Sequence, residues 1–428
     1  MSEQSRCSLV FGLFWGDEGK AKAVDVLGEG VSAVARYQGG ANAGHTVYVD
    51  GEKFVFHQVP SGILRDGIKN LLGAGMVLDL PALVSEIEEI STRGTDTSGR
   101  IMISPRAHIV TLLSKAVDAL DEKRFGIGTT LRGIGPAYTD KYSRRGIRVG
   151  DLVFEKGLEK RVRNLVEYYR PMFDSAEIPI PGVDEIIAPL REVLPAIRDM
   201  VGDVSSFIIE TLRSGKRVLI EGAQGSMLDI DWGTFPYVTS SPTTISGVAS
   251  GLGIDPRLID RVVGIVKAFT TRVGNGPLPT EQSGEIGSRL RGTGENEWDE
   301  FGATTGRPRR CGWLDGFVLS TNTKRWGIDK LFLTKLDVLD GMETIKICSA
   351  YKYMGKILRS YPSTVAELNE VEPVFEEIDG WEGSSADCEN YDDLPENARY
   401  YIKRIEQLAG CEVGWISTGP GRNSVITK

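Results

Sequence analysis

The sequence predicts an α/β protein: a large, mainly parallel and twisted sheet flanked by helices, forming one large domain over residues 1–428 with a helical insertion at about 154–213 and long loops at its active edge. Three stretches carry this prediction. Ser8 to Leu13 is an apolar strand that breaks into the glycine-rich turn WGDEGKAK and resumes with helical spacing in AVDVL, Ala23 to Leu27. NLLGAGMVLDLPALVSEIEEI repeats the order strand, glycine turn, helix, with Asp79 or Leu80 near the N-cap and Pro81 in the first turn. VLIEGAQG reads as a strand ending at Glu221, with Gln224 as a polar tip where ligands of open α/β sheets bind, beyond the carboxyl ends of strands.

Composition fits this class. With 41% hydrophobic and 25% charged residues in 428, the chain can bury a sizeable core. Its five cysteines (Cys7, Cys311, Cys348, Cys388, Cys411) are odd in number and scattered without a CxxC, which argues against disulfides and structural zinc and for a reducing cytoplasm. MSEQSRCS has no basic region leading into an apolar run, and no stretch approaches membrane-spanning length, so a cytoplasmic protein without a membrane partner is expected. A net charge of −9 gives no bulk attraction to nucleic acid, so any phosphate must be held by local basic clusters.

The turn after the first strand aims backbone N–H groups and a helix N-terminus at one point, which is phosphate-binding geometry. It is not a standard P-loop, because Phe14 stands five residues before Gly19 and Ala21 follows Lys20 where a hydroxyl residue belongs. Asp17 and Glu18 would repel a phosphate there unless a divalent cation intervenes or one carboxylate has chemical work to do; the competing reading is an acidic first turn favoured by the helix dipole. RYQGGANAGHT shifts the balance, since Asn42 and His45 sit in a segment too rich in small residues to pack a core. For His57, in an alternating strand, and His108, in the apolar ISPRAHIVTLL, a satisfied core or edge histidine is the plainer expectation.

Further along, VYVDGEKFVFH alternates on both sides of Asp50-Gly51, a hairpin signal. Lys115 to Lys160 reads as a long glycine- and arginine-rich loop, functional or else a solvated basic linker through Arg144, Arg145 and Arg148. From Phe154 to Arg213 the pattern is helical and highly charged, stopped by Gly215. DIDWGTFPYVTSSPTTISG is another loop. FGATTGRPRRC gathers Arg307, Arg309 and Arg310, whose guanidinium forks match the paired oxygens of carboxylates and phosphates. KLFLTKLDVLD carries TKLD at a strand end, IKICSAYKYMGKILRSY turns about Met354-Gly355, and NARYYIKRIEQLAG is a helix closed by Gly410.

WGDEGKAK, RYQGGANAGHT, PSGIL, IGTTLRGIGPAY, EGAQG, YVTSS, FGATTGRPRR, TKLD and STGP stand in the order found in adenylosuccinate synthetases, which the chain resembles over nearly its whole length. The resemblance implies a GTP-dependent ligase of purine biosynthesis that joins IMP and L-aspartate, with Mg²⁺ held by Asp17 and the Gly44 carbonyl. It implies a GTP site at Gly16, Asp17, Glu18, Gly19, Lys20, Ala21 and Lys22, joined by Gly44, His45, Thr46, Arg309, Lys335, Leu336, Asp337, Ser417, Thr418 and Gly419. IMP would meet Asp17, Glu18, Gly19, Lys20, Asn42, Ala43, Gly44, His45, Thr130, Gln224, Thr239 and Arg307, and also Arg144 reaching in from the other subunit of a homodimer. Aspartate would meet Thr304, Thr305, Gly306, Arg307 and Arg309.

Chemistry supplies the roles. Replacing a purine 6-oxo group by an amine needs a better leaving group than hydroxide. Asp17 suits the base that removes N1–H and makes O6 nucleophilic, His45 a donor to the phosphoryl group in transit, and Lys20 a neutraliser of its charge. TKLD is close to the guanine-reading NKxD signature, and the Asp337 carboxylate accepts from guanine N1–H and the 2-amino group, whereas adenine offers an acceptor at N1. The chain departs from the family's usual pattern at Phe14, Ala21, Ala41, Leu131 and Gly421, and keeps Asp17, His45, Asp337 and the arginines. Two alternatives stand beside this reading: a related branch that takes a guanylate in place of IMP, and a non-catalytic GTP-binding module.

Overall fold

Nine strands form the central sheet, in the order Val425–Thr427, Glu412–Ser417, Lys330–Thr334, Arg261–Lys267, Cys7–Gly12, Val218–Gly225, Ala33–Arg36, Lys69–Leu72 and Ile101–Ile103. The computed structural model describes residues 5–49, 51–154, 157–302 and 306–428. Every neighbouring pair in this sheet is parallel except the last C-terminal strand, which pairs antiparallel with Glu412–Ser417.

The sheet is buried on both faces, as a parallel sheet covered by helices must be. Along Cys7–Gly12 the side chains alternate: Leu9 and Phe11 join a large core with Ile220, Val266 and Leu331, while Val10 points the other way to meet Val24, Val34, Leu219 and Phe332. Full burial of side chains of this size contributes roughly 1.5–3 kcal/mol each. The helices Leu158–Ser175 and Val183–Ile197 lay Val162, Leu165, Val166, Ile186 and Leu190 against Leu83 and Ile87 of helix Leu80–Thr92. Their charged residues, such as Glu159, Arg163, Glu167 and Arg170, pair with one another on the outside.

Three sequence expectations are corrected. Lys115 to Lys160 is mostly helical: Leu112–Phe125, Ile134–Tyr142 and Val149–Phe154 are helices, and Leu158–Ser175 begins within it. The first of these is nucleated by Thr111, whose Oγ1 accepts from Ser114 N at 3.2 Å while Ser114 Oγ accepts from Thr111 N at 3.2 Å. The second is held by Ile134, Ala137 and Tyr138 packing on Val77 and Val110, so tertiary contact overrides a glycine-rich local sequence. Second, the strand expected to end at Glu221 runs to Gly225, because glycines let it pass its neighbour closely. A Cβ on Gly222 would lie 2.8 Å from the Phe11 Cβ. Third, His57 lies just past the strand Glu52–Phe56 rather than in it.

Around Gly51, at φ 84°, the strands His45–Val49 and Glu52–Phe56 pair antiparallel. Asp50, Thr304 and Thr305 lie outside the described residues. A smaller sheet pairs Thr344–Tyr353 with Glu372–Asp379, Lys356–Ile357 and Leu314–Asp315, and turns at Met354-Gly355. Among the described residues no helix is long and apolar enough to cross a membrane.

Candidate active site

The first strand leads into a turn that only particular residues can make. Gly16, Asp17 and Gly19 have φ of 90°, 58° and 88°, and helix Lys20–Leu27 follows directly. Glycine takes such angles freely, and aspartate tolerates them better than most residues do. The two acids of the turn part company. Glu18 turns inward, accepting from Phe14 N at 3.1 Å and Gly16 N at 2.8 Å, and pairs with Lys20 Nζ at 2.6 Å. A Cβ on Gly12 would lie 2.1 Å from Glu18 Oε2, and one on Gly225 would lie 2.4 Å from Oε1, so both neighbouring strands need glycine to make room for this carboxylate. Asp17 faces outward instead, its Oδ2 2.9 Å from Arg309 Nε as an ion pair that lacks hydrogen-bond alignment.

The C-terminal loop and TKLD close one side of the turn. Lys22 Nζ donates to Ser417 Oγ at 2.7 Å, Gly419 O at 2.6 Å and Ser424 O at 3.0 Å. Burial lowers the Lys22 ammonium to about 8, against the opposing charges of Asp337 and Asp25 and with help from Lys335. Thr334 Oγ1 donates to Glu18 O at 2.6 Å, tying the TKLD strand to the phosphate turn. Lys335 sits at φ 61°, and Asp337 then falls in the short helix Leu336–Leu339. Burial raises the Asp337 carboxyl against the charges of Lys335 and Lys22, and it forms no ion pair within 4.0 Å among the described residues. Leu336 is core, while Ser417 and Thr418 are buried at the strand end.

On the other side stands a buried histidine pair. His45 Nδ1 lies 2.7 Å from Glu221 Oε1, and its Nε2 lies 3.0 Å from Ala223 O. Ser61 donates both N–H and Oγ–H to Glu221, at 2.9 Å each. Burial alone would raise the Glu221 carboxyl, but the hydrogen bond and charge of His45, with Arg36 and Ser61, hold it below its usual range. The carboxylate accepts the Nδ1 proton of His45 and so fixes the ring, with Nε2 turned to Ala223 O. Gln224 Nε2 donates to Asn42 Oδ1 at 3.3 Å. Around it, Gln224 Oε1, Gln38 Nε2 and Arg36 Nε and Nη2 are buried without a hydrogen-bond partner among the described residues. Buried polar atoms of this kind are rare unless a ligand satisfies them. Ala43 O accepts from His57 Nδ1 at 2.6 Å, and Thr46 lies in the same strand as His45. The satisfied histidine expected at His108 is not found: its buried Nδ1 has no partner among the described residues. Burial, with Lys141 and Arg148, lowers it to about 4.

The arginine loop folds over the turn from the side of the Arg261–Lys267 strand. Arg309 Nη1 donates to Glu300 Oε2 at 2.6 Å, and Glu300 Oε1 also meets Lys267 Nζ at 2.8 Å and Lys335 Nζ at 3.2 Å. Burial alone would raise this carboxyl, but those three cations hold it far below the usual range. Arg310 is committed to Glu281 and to Gly276 O. Gly306, at φ 63°, and Arg307 are exposed. Thr130 and Arg144 are exposed as well, Arg144 at φ 65°, and the side chain of Arg144 has no hydrogen bond or ion pair within the described residues. Thr239 donates its N–H to Leu228 O at 2.9 Å.

Sequence reasoning noted Glu221 only as a strand end and missed Glu300, Lys267, Arg36 and the buried pair of Asp25 with Arg422, 2.5 Å apart. Each gains its meaning from a partner far away in sequence. Glu300 stands in ENEWDEFG, which reads as a solvated acidic run, and only the charged residue inside the sheet strand RVVGIVK hinted at Lys267.

Known proteins resemble this chain over nearly its whole length. The family model for adenylosuccinate synthetase matches residues 9–426. Adenylosuccinate synthetase of Salinibacter ruber is 47% identical over 435 residues, covering 98% of each chain, and that of Halothermothrix orenii is 43% identical over 424 residues with 98% of each chain covered. The fully ligated adenylosuccinate synthetase of Plasmodium falciparum superposes with a TM-score of 0.92 at 40% identity, covering 99% of this chain and 100% of that one. The cyanophage S-2L succinoaminodeoxyadenylate synthetase, bound to dGMP and dATP, shares the fold at a TM-score of 0.62 and 19% identity, covering 99% of this chain and 95% of that one. The chain belongs to the adenylosuccinate synthetase family.

Proposed function

We propose that the chain, working as a single catalytic unit, joins IMP and L-aspartate to form adenylosuccinate at the expense of GTP, releasing GDP and phosphate, in the cytoplasm. The observation that carries this reading is the convergence on one turn of an outward carboxylate (Asp17), a carboxylate-backed histidine (His45 with Glu221), a buried lysine (Lys20) and an arginine (Arg309). A GTP-binding module alone has no use for the first two.

In this reading Asp17 takes the N1 proton of IMP, and the freed electron pair makes O6 attack the γ-phosphorus of GTP as GDP departs. His45, held through Nδ1 by Glu221, acts as the imidazolium and exchanges its Nε2 contact with Ala223 O for a hydrogen bond to the phosphoryl oxygens in transit, and Lys20 and the turn's N–H groups hold the phosphates. The α-amine of aspartate, gripped by Arg307 and Arg309 with Thr304, Thr305 and Gly306, then attacks C6 and expels phosphate. Alignment does most of this work. Guanine is read by Asp337, with Lys335 and the Ser417–Gly419 loop beside it. IMP lies against Asn42, Gln224 and Thr239, with Thr130 and Arg144 closing over it.

Among the described residues no three His, Cys, Asp or Glu side chains form a metal cage. Mg²⁺ on nucleotide enzymes needs only one or two carboxylates beside the substrate phosphates, and Asp17, with its side chain 30% exposed, is such a donor. Asp17 and the Gly44 carbonyl would hold the ion, which supplies neutralisation of charge on the transferred phosphoryl group.

Arg144 serves the partner's site in a homodimer; the lack of a side-chain bond from it among the described residues supports this. Activity per subunit should then fall on dilution below the dimer dissociation constant. The deciding experiment measures GDP release with IMP, GTP and L-aspartate together and with each left out in turn, with dGMP in place of IMP as a further arm. GDP release only with all three supports the ligase; release unchanged without IMP and aspartate identifies a GTPase instead.

A further inference from the structure

Glu300 is a fully buried carboxylate that no step of the reaction uses, yet it bonds cations from three separate elements. Lys267 ends the Arg261–Lys267 strand, Lys335 belongs to TKLD, and Arg309 belongs to the arginine loop. Removing such a group from water is unfavourable unless strong pairing offsets it, and one surviving cation would be enough to balance its charge. Three imply a junction. One oxygen serves Lys267 and Lys335, and the other serves Arg309, so the carboxylate cannot rotate to follow one partner without loosening another.

The two ends of this junction matter. Lys335, locked at φ 61°, sets the backbone from which Asp337 projects, and its Nζ also donates to Trp298 O. Arg309 lies against Asp17 at 2.9 Å. A continuous path therefore runs from the guanine-reading carboxylate through Lys335, Glu300 and Arg309 to the base of the reaction. We propose that Glu300 is a positioning residue that couples occupancy of the guanine site to the geometry of the aspartate site. A guanine nucleotide that fixes the Lys335–Asp337 segment fixes Glu300, and Glu300 fixes Arg309 where the substrate carboxylate docks. The coupling is reciprocal, so aspartate tightens the guanine nucleotide by the same factor.

This inference rests on the proposed function, and its test separates the two. GDP with IMP and L-aspartate is a combination that cannot react, so affinities can be measured at equilibrium. Calorimetry on the full chain with IMP and Mg²⁺ gives the aspartate Kd with and without saturating GDP. In the unchanged protein GDP should tighten aspartate by about fivefold or more, a typical coupling. Glu300→Gln should abolish that ratio while GDP still binds. In turnover, the KM for aspartate should rise by a larger factor than the KM for IMP. Glu300→Asp, which keeps the charge on a shorter arm, should restore part of the ratio.

Because Glu300→Gln leaves the buried Lys267 without a counter-charge while Arg309 keeps Asp17, the pair Glu300→Gln with Lys267→Met, which removes that charge, serves as a second folded probe. It too should lose the ratio. A GDP effect equal in the unchanged protein and in the variants overturns the inference, as does its absence from the unchanged protein. Failure of the unchanged protein to turn over IMP, GTP and aspartate would instead overturn the proposed function.

Discussion

The two sides of the crevice are built differently. On the guanine side the groups around Asp337 are already held: Lys22 by three oxygens of the C-terminal loop, Thr334 by Glu18 O, Lys335 by Glu300. On the side assigned to IMP and aspartate, buried amide and guanidinium atoms of Arg36, Gln38 and Gln224 have no hydrogen-bond partner among the described residues, and Thr130 and Arg144 are exposed. In the proposed reading the first side is preorganised and the second is completed by its ligands. A preorganised site loses little entropy when the nucleotide binds, whereas a ligand-completed site converts binding energy into closure around the reacting atoms.

The largest effects should come from residues that both sides share. Asp17→Asn and His45→Ala should each lower kcat by about 10²–10⁴-fold, measured as adenylosuccinate formed, with GDP affinity retained in the His45 variant. Glu221→Gln, which leaves the ring in place without its anchoring charge, should cost roughly 10-fold or more in kcat with little change in KM. Near-normal kcat in any of these would remove that residue from the chemistry.

A smaller effect tests the preorganised side. Asp337→Asn puts an amide donor where guanine presents two donors, and should lower kcat/KM for GTP by about 10–100-fold while raising it for XTP, whose 2-oxo group accepts that donor. An unchanged GTP to XTP ratio would place TKLD outside the base pocket.

Lys22 gives that side a pH signature. Its ammonium is buried, facing Ser417, Gly419 and Ser424 oxygens with Asp337, Asp25 and Lys335 nearby, and its value of about 8 lies below the ordinary 10.5. Below pH 8 both folded and unfolded chains carry the proton; between 8 and 10.5 only the unfolded chain does, so this group makes the fold more stable as pH rises there. Its third hydrogen bond is lost in the same window. The KM for GTP should therefore rise from pH 7 to 9.5 in the unchanged protein, and stay flatter in Lys22→Met. His108 acts in the opposite range. With a value of about 4 against the ordinary 6.5, it stays neutral in the fold while the unfolded chain takes up a proton, so stability falls as pH drops through that window, by about 3 kcal/mol at full effect. Denaturant midpoints at pH 4 and 7 should differ less in His108→Gln.

Leu131 carries the smallest expected effect. It sits at φ 56° in the exposed loop Gly126–Gly133, so Leu131→Gly relieves strain but frees the unfolded chain. The two nearly cancel, and the change in stability should stay within about 1 kcal/mol. A larger gain would mean that the loop is held against strain in the free protein, and the contrast between the two sides would narrow.

This contrast also explains what the sequence could reveal. The phosphate turn, TKLD and the arginine loop are contiguous strings whose residue types state their chemistry, so Asp17, Asp337 and Arg309 were legible. The sheet was legible because strand, glycine turn and helix alternate. Glu300 and Glu221 were not, since a carboxylate in a sequence does not show which distant cation or histidine it will meet. The helices Leu112–Phe125 and Ile134–Tyr142 were hidden by glycines whose φ of 59°, 89° and 73° at Gly126, Gly128 and Gly133 end one helix and start the next.

In the proposed reaction O6 of IMP leaves in the phosphate after Asp17 makes it a nucleophile. It is tested by turning over IMP labelled with oxygen-18 at O6, together with GTP and L-aspartate, and weighing the released phosphate by mass spectrometry. One heavy oxygen is expected in each phosphate formed. Unlabelled phosphate, with the heavy oxygen released to water, would contradict it.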